Sequence, residues 1–298
     1  MNELSIITLY CFVDEFIKSI TGLPVGTFIL NHWQGKRGPQ KRLTLAEVMT
    51  LNLLRFYLRV HDLKTFHRLA WHSYRDYFPG LPNYENFLKA ANRSFPAIVV
   101  FMKYMLFLTR MREGAGTYFI DSTALSVCEN PYISSHRVTR GYASRGKTSK
   151  GWFFGFKAHG VCTKEGGLMD VLFTTGSVHD SQVVPEITKD LEGLFVGDAG
   201  YLLREEIFRE LYERHRHIMS AARKNMKRVM NGEQKQLFRD RSCIETIWDV
   251  LKERFQLVYR LARGMTGLFR HYSYSITSFL LRSFIESSVP LLKMPLKA

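Results

Sequence analysis

Three carboxylates carry the most chemistry this sequence can offer. Asp121 closes the run Tyr118-Phe119-Ile120-Asp121, and Asp198 closes Leu194-Phe195-Val196-Gly197-Asp198, so each stands where an apolar, β-prone run stops. Glu245 lies in the stretch from Arg239 to Arg260, whose apolar residues Ile244, Ile247, Leu251, Phe255 and Val258 recur with the period of a single long amphipathic helix. On that helix Arg241, Glu245, Trp248 and Lys252 form a second, mixed stripe, with both cations pointing the same way. An aspartate at a strand end commonly serves a turn or a helix cap, and charges on a helix commonly serve solubility. The combination suggests more. If the two strands lie side by side, Asp121 and Asp198 come within reach of shared cations, and Glu245 closes the site from the helix. Three oxygen donors with no His or Cys suit a hard ion such as Mg²⁺, with Mn²⁺ as a substitute. A pair of such ions can activate a water or hydroxyl and stabilise the leaving oxygen of an in-line phosphoryl displacement.

The charge balance points the same way. The 298 residues carry a formal charge of +15, shared by both halves of the chain, and the pI is near 9.7. A polyanionic partner is expected, nucleic acid first and an acidic membrane surface second. Between Cys128 and Gly151, the cations Arg137, Arg140, Arg145, Lys147 and Lys150 alternate with Tyr132 and Tyr142, which reads as a loop that tracks DNA. A second basic run, containing Arg223, Lys224 and Lys227, leads into the Glu245 helix and reads either as phosphate contact or as a solvated loop. The four cysteines are scattered without metal-ligand spacing, so neither zinc nor a disulfide framework is expected. The first twenty residues lack the pattern of a signal peptide, and the apolar run 97–108 is interrupted by Lys103 and too short to span a bilayer. A cytoplasmic, nucleoid-associated protein without membrane contact is the expectation. Asp180, in His179-Asp180, reads as a helix N-cap, and Trp152 and Trp248 read as core residues first and as platforms for an unpaired base second.

These residues need elements to position them. Helical patterns occupy the first 113 residues, with a capping box at Thr44 and Glu47 and another cap at Asn83. Three short helices there resemble a helix-turn-helix module whose last member offers Asn86, Lys89, Asn92 and Arg93. From residue 114 the pattern changes to strands at 117–120, 152–162 and 168–175, followed by alternating helix and strand. The fold class expected is therefore α/β, a mixed sheet covered by helices and preceded by an all-α domain, with domains at 1–113 and 114–298.

Over about 118–260 the sequence resembles the DDE transposases of bacterial insertion sequences, which have an RNase H-like catalytic core. The resemblance rests on Ile120-Asp121-Ser122, on Gly197-Asp198-Ala199-Gly200-Tyr201, and on Arg241, Glu245 and Lys252 in the last helix. It implies that Asp121, Asp198 and Glu245 bind two Mg²⁺ ions and that Arg241 and Lys252 hold phosphates beside the scissile bond. It also implies a DNA transposase whose partners are double-stranded DNA, both the terminal inverted repeats of an element and a target. A homodimer on DNA is expected. The chemistry implied is hydrolysis at an element end to give a 3′-OH, followed by attack of that hydroxyl on the target. A structure-specific nuclease of the same fold that does not transfer strands, and a non-catalytic DNA-binding regulator, are the alternatives.

Overall fold

The computed structural model describes residues 3–35, 41–60, 62–114, 116–149, 151–221 and 230–288. Six helices come first: α1 (Glu3–Ile20), α2 (Pro24–Gln34), α3 (Leu45–Tyr57), α4 (Leu63–Ser73), α5 (Tyr84–Arg93) and α6 (Phe95–Glu113). The capping box at α3 forms as the sequence predicts: the Glu47 N–H donates to Thr44 Oγ1 at 3.2 Å and the Thr44 N–H donates back to Glu47 Oε2 at 2.6 Å. Helix α2 follows α1 after a short turn. Pro24 at its first turn needs no N–H partner and presets the helical φ. No single helix among the described residues is long and apolar enough to cross a membrane.

The sheet follows. It consists of β1 (Gly116–Cys128), β2 (Ser144–Thr148), β3 (Gly151–Cys162), β4 (Leu168–Thr175), β5 (Gly193–Gly197) and β6 (Arg216–Ser220). The short helix α7 (Val184–Ile187) precedes β5, and α8 (Glu205–Glu213) connects β5 to β6. The path is β2-β3-β1-β5-β6, with β4 also paired to β3. Strands β2, β3, β4 and β1 are antiparallel where they meet, whereas β1, β5 and β6 run parallel. This is the mixed sheet that consecutive strands followed by helix–strand alternation imply. One face packs Tyr118, Ile120, Val161, Met169 and Phe195 against Val184 and Ile187 of α7 and Leu211 of α8.

Two boundaries differ from the sequence expectation. The run expected to stop at Asp121 continues to Cys128, because β3 offers β1 a long antiparallel partner through Ser126↔Gly155 and Cys128↔Phe154. The expected helix 239–260 is two helices, α9 (Gly232–Asp240) and α10 (Ser242–Glu253). Arg241 caps α9 at the junction, and Asp240 at the end of α9 is held by Lys164 at 2.9 Å. Past Glu253 the residues Phe255, Gln256 and Leu257 are all buried, and Gln256 has φ 51°, so the helix cannot continue. The last helix, α11 (Met265–Ser288), completes the order.

By its internal contacts the chain divides into two compact units, one of Met1–Met105, Glu253–Leu257 and Met265–Ala298, the other of Leu106–Lys252 and Val258–Gly264. Within the first, the Tyr274 hydroxyl and Ser94 Oγ lie 2.7 Å apart, and Arg270 donates to Asn92 Oδ1 at 2.7 Å. Asn92 is thus already engaged inside its own unit.

Within the second unit, α10 docks on β3 through two residues of one strand face. The Trp248 indole lies over Gly160, where a Cβ would come within 2.8 Å of Cζ2, and Cys243 Sγ sits 3.5 Å from Cys162 Sγ. Ile244, Ile247 and Leu251 bury the rest of that helix face. The absence of a side chain at Gly160 therefore sets how closely α10 approaches the sheet. Gly160→Ala is expected to force the indole away and to destabilise the protein by about 1–3 kcal/mol, the usual cost of overpacking. The denaturant midpoint followed by tryptophan fluorescence reads this directly; an unchanged midpoint would show that α10 is not seated through this contact.

Candidate active site

Parallel pairing of β1 with β5 runs in register to Phe119↔Val196. Asp121 and Asp198 each come two residues later, so the two carboxylates leave adjacent strands at the same level. β1 is held on its other side by β3, with Asp121 opposite Gly160. Since Trp248 covers Gly160, and Glu245 precedes Trp248 by one helical turn, α10 is docked with Glu245 beside the strand pair. All three carboxylates line one cleft of about 770 Å³, together with Arg241, Lys252 and Lys147.

Arg241 is the electrostatic hub. Its Nη1 lies 3.4 Å from Asp121 Oδ1, and its Nη2 donates to Glu245 Oε1 at 2.6 Å. Burial pushes the Asp121 carboxyl up to about 7, Asp198 and Glu245 add to the rise, and Arg241 with the Ser122 backbone N–H opposes it. One guanidinium thus only partly offsets a concentration of negative charge. Asp198 has a second task, since the Gly200 N–H donates to its Oδ1 at 2.8 Å and starts the turn 199–201. Among the described residues no group of three His, Cys, Asp or Glu side chains is gathered tightly enough to hold an ion as it stands. Arg241 stands between two of the three that the sequence proposes.

The basic excursion divides. Lys147 reaches the cleft, whereas Arg137, Arg140 and Arg145 are exposed and do not line it. Part of what reads as a loop is in fact β2, whose Ser-Arg-Gly-Lys-Thr sequence has no apolar alternation to announce it; β3 supplies its hydrogen-bond partner. Trp248 is core, as expected, but Trp152 is 61% exposed, with the Lys147 ammonium 5.6 Å from its ring. The reading of Trp152 as a core residue is therefore wrong: it lies at the start of β3, where it pairs with Lys147 of β2, and it faces solvent. Lys150, Arg223, Lys224 and Lys227 lie outside the described residues.

Sequence reasoning passed over a second polar group on the cleft wall. Asp180 is not the N-cap expected; His179 takes that role, accepting from the Ser181 N–H. Asp180 turns instead to the Lys157 ammonium, 2.9 Å from its Oδ1, and that ammonium also donates to the Val178 carbonyl at 3.0 Å. His159, on the same strand face, is fully buried, bonds Thr174 Oγ1 through Nε2 at 2.8 Å, and has its Nδ1 3.7 Å from Asp180. Burial keeps its imidazole neutral, down to about 4, against the pull of Asp180. The signal in the sequence is Lys157 and His159 alternating inside an otherwise apolar strand, where a charge needs a partner.

No curated protein and no solved structure matches the chain. A sequence model of the transposase DDE domain matches residues 112–263, just over half of the chain, and takes in β1, β3, β5, the cleft and all three carboxylates. With that match over a mixed sheet whose Asp121 and Asp198 share one cleft with Glu245 of α10, the chain belongs to the DDE transposase family.

Proposed function

We propose that this transposase hydrolyses the phosphodiester at the end of its element to free a 3′-OH and then joins that end to target DNA. The observation that supports this most is the convergence of Asp121, Asp198 and Glu245, from two adjacent strands and one helix, on a cleft shared with Arg241, Lys252 and Lys147. Mg²⁺ fits the donors: all three are oxygen ligands, and Asp121 is held as an acid by burial and by its two acidic neighbours, a condition a divalent cation relieves. Asp121, Asp198 and Glu245 would hold the ions. The chemistry a bound divalent ion supplies in such a site is activation of the attacking water or hydroxyl and stabilisation of the leaving 3′ oxygen.

The protein's own cations do the positioning. Arg241, released from Asp121 and Glu245 once their charge is otherwise balanced, offers its paired N–H groups to a phosphate, and Lys252 holds a second phosphate along α10. Lys147 at the cleft and Arg145 beyond it, both on β2, extend the path for the backbone, and the helical unit at the N-terminus supplies further DNA contact through Lys89 and Arg93, both exposed on α5. Two element ends must be held together for transfer, which favours a dimer on DNA. A nuclease that only cuts and a regulator that only binds are separated from this reading by the joining step.

The test is strand transfer with a labelled, pre-cut 3′-OH end taken from the DNA flanking the gene, Mg²⁺, and wild type beside Asp198→Asn and Glu245→Gln. Wild type is expected to join the end to target, and each variant to bind it but lose joining by at least about 100-fold. Binding without joining by folded wild type, or full activity in the variants, would overturn the assignment. A second outcome concerns salt: Lys147→Ala and Arg145→Ala are each expected to lower the slope of log affinity against log salt by about one. Unchanged slopes in both would remove β2 from the DNA path.

Asp121 makes a further expectation about pH. Its folded value, about 7, lies above its ordinary 3.8, so between those limits the folded protein holds a proton that the unfolded chain has lost. In metal-free protein its contribution to stability falls as pH rises from about 4 to 7 and is constant above that. Divalent ion binding displaces the same proton, so affinity gains up to about tenfold per pH unit across the window. Denaturation and Mn²⁺ titrations at pH 5, 6 and 7, with Asp121→Asn for comparison, isolate the effect. Parallel pH slopes in wild type and variant would show that Asp121 does not titrate there.

A further inference from the structure

Asp180 stands closer to the three carboxylates than its local role requires. A Cβ placed on Gly200 would lie 3.0 Å from Asp198 Oδ1 and 3.3 Å from Asp180 Oδ2, so both acids lie against the same glycine. The lack of a side chain at Gly200 lets them approach. Asp180 also lines the cleft that Asp121, Asp198 and Glu245 line. Its two oxygens are used differently: Oδ1 takes the Lys157 ammonium, while Oδ2 is the atom turned to Gly200 and Asp198.

A buried polar atom near this group independently points to a ligand. The Tyr201 hydroxyl is fully buried and makes no well-formed hydrogen bond among the described residues, yet it lies beside Ser122 and within electrostatic reach of Asp180, Asp121 and Asp198. A buried hydroxyl without a partner is costly and is normally met by water or by another bound species. Asp180 and Asp198 thus stand near one another, beside a buried hydroxyl that has no well-formed hydrogen bond among the described residues.

We infer that Asp180 is a fourth metal-ligating carboxylate of this centre, acting through Oδ2 alongside Asp198, and that Lys157 is its positioning residue. This rests on the proposed metal site. Lys157 is only 9% exposed and is fixed by two acceptors, Asp180 Oδ1 and the Val178 carbonyl, so it presents one carboxylate oxygen and withholds the other. The division of labour is that of an outer partner orienting a ligand.

Mn²⁺ binding to metal-free protein tests this without reference to activity. Electron paramagnetic resonance titrations are made on wild type, Asp180→Asn, the double variant Lys157→Met with Asp180→Asn, and Asp198→Asn. Thermal denaturation of each accompanies them. Asp180→Asn is expected to weaken Mn²⁺ binding by about tenfold or more. The double variant, which no longer buries an unmatched ammonium, is expected to regain thermal stability without regaining Mn²⁺ affinity. If Asp180 serves only as the partner of Lys157, Asp180→Asn lowers stability alone, or the double variant recovers binding along with stability; either result overturns the inference. Asp198→Asn separates the two levels. Loss of binding there with normal binding in Asp180→Asn removes Asp180 alone, whereas normal binding in both removes the metal site itself.

Discussion

Gathering carboxylates is the physical problem around which this fold is arranged. Asp121 sits largely buried beside Asp198 and Glu245, and among the described residues the Arg241 guanidinium bridges it to Glu245. Burial alone would favour the neutral acid, and the neighbouring acids push in the same direction. The chain meets this cost with rigid supports: parallel pairing of β1 with β5, antiparallel pairing of β1 with β3, and α10 seated on Gly160 through Trp248. None of these contacts involves the carboxylates. Each fixes a backbone segment from which one carboxylate projects.

The same arrangement explains why Arg241 falls at a helix break. Within a continuous helix its side chain would follow the α10 surface. At the end of α9 it can span from Asp121 on the sheet to Glu245 on the next helix. The sequence period places Arg241, Glu245 and Lys252 on one stripe, and all three do reach one cleft. The break itself is invisible to that period; beside it Asp240 meets Lys164, a residue from the turn after β3. Long-range contacts set boundaries that a local pattern cannot register.

Much of the architecture was legible for an equally physical reason. Apolar runs ending in Asp121 and Asp198 mark two strands that border one crevice, although β1 itself runs on past Asp121, and caps such as Thr44 with Glu47 are local chemistry that tertiary contacts did not overrule. Three features were not legible. β2 has polar, glycine-containing sequence and exists because β3 offers it an edge. Trp152 has the composition of a core residue but stands exposed at a strand start that pairs with β2. Asp180 follows a histidine in a pattern that suits a helix cap, and only the fold shows that His179 caps the turn while Asp180 meets a lysine from another strand.

That lysine is hard to account for as a stabilising element. A buried ion pair recovers by attraction little more than its two members lose in leaving water, and well-packed apolar residues commonly serve a core as well or better. Lys157 and His159 nevertheless occupy interior positions of β3, between strands that could be apolar throughout, and His159 is held neutral there. Their shared feature is proximity to Asp180, and Asp180 faces the cleft. A fold that needed only stability would gain nothing from this group; one that must hold an extra acid at a fixed angle beside Asp198 needs a donor within reach of one oxygen and a small residue opposite the other. Lys157 and Gly200 are those two residues.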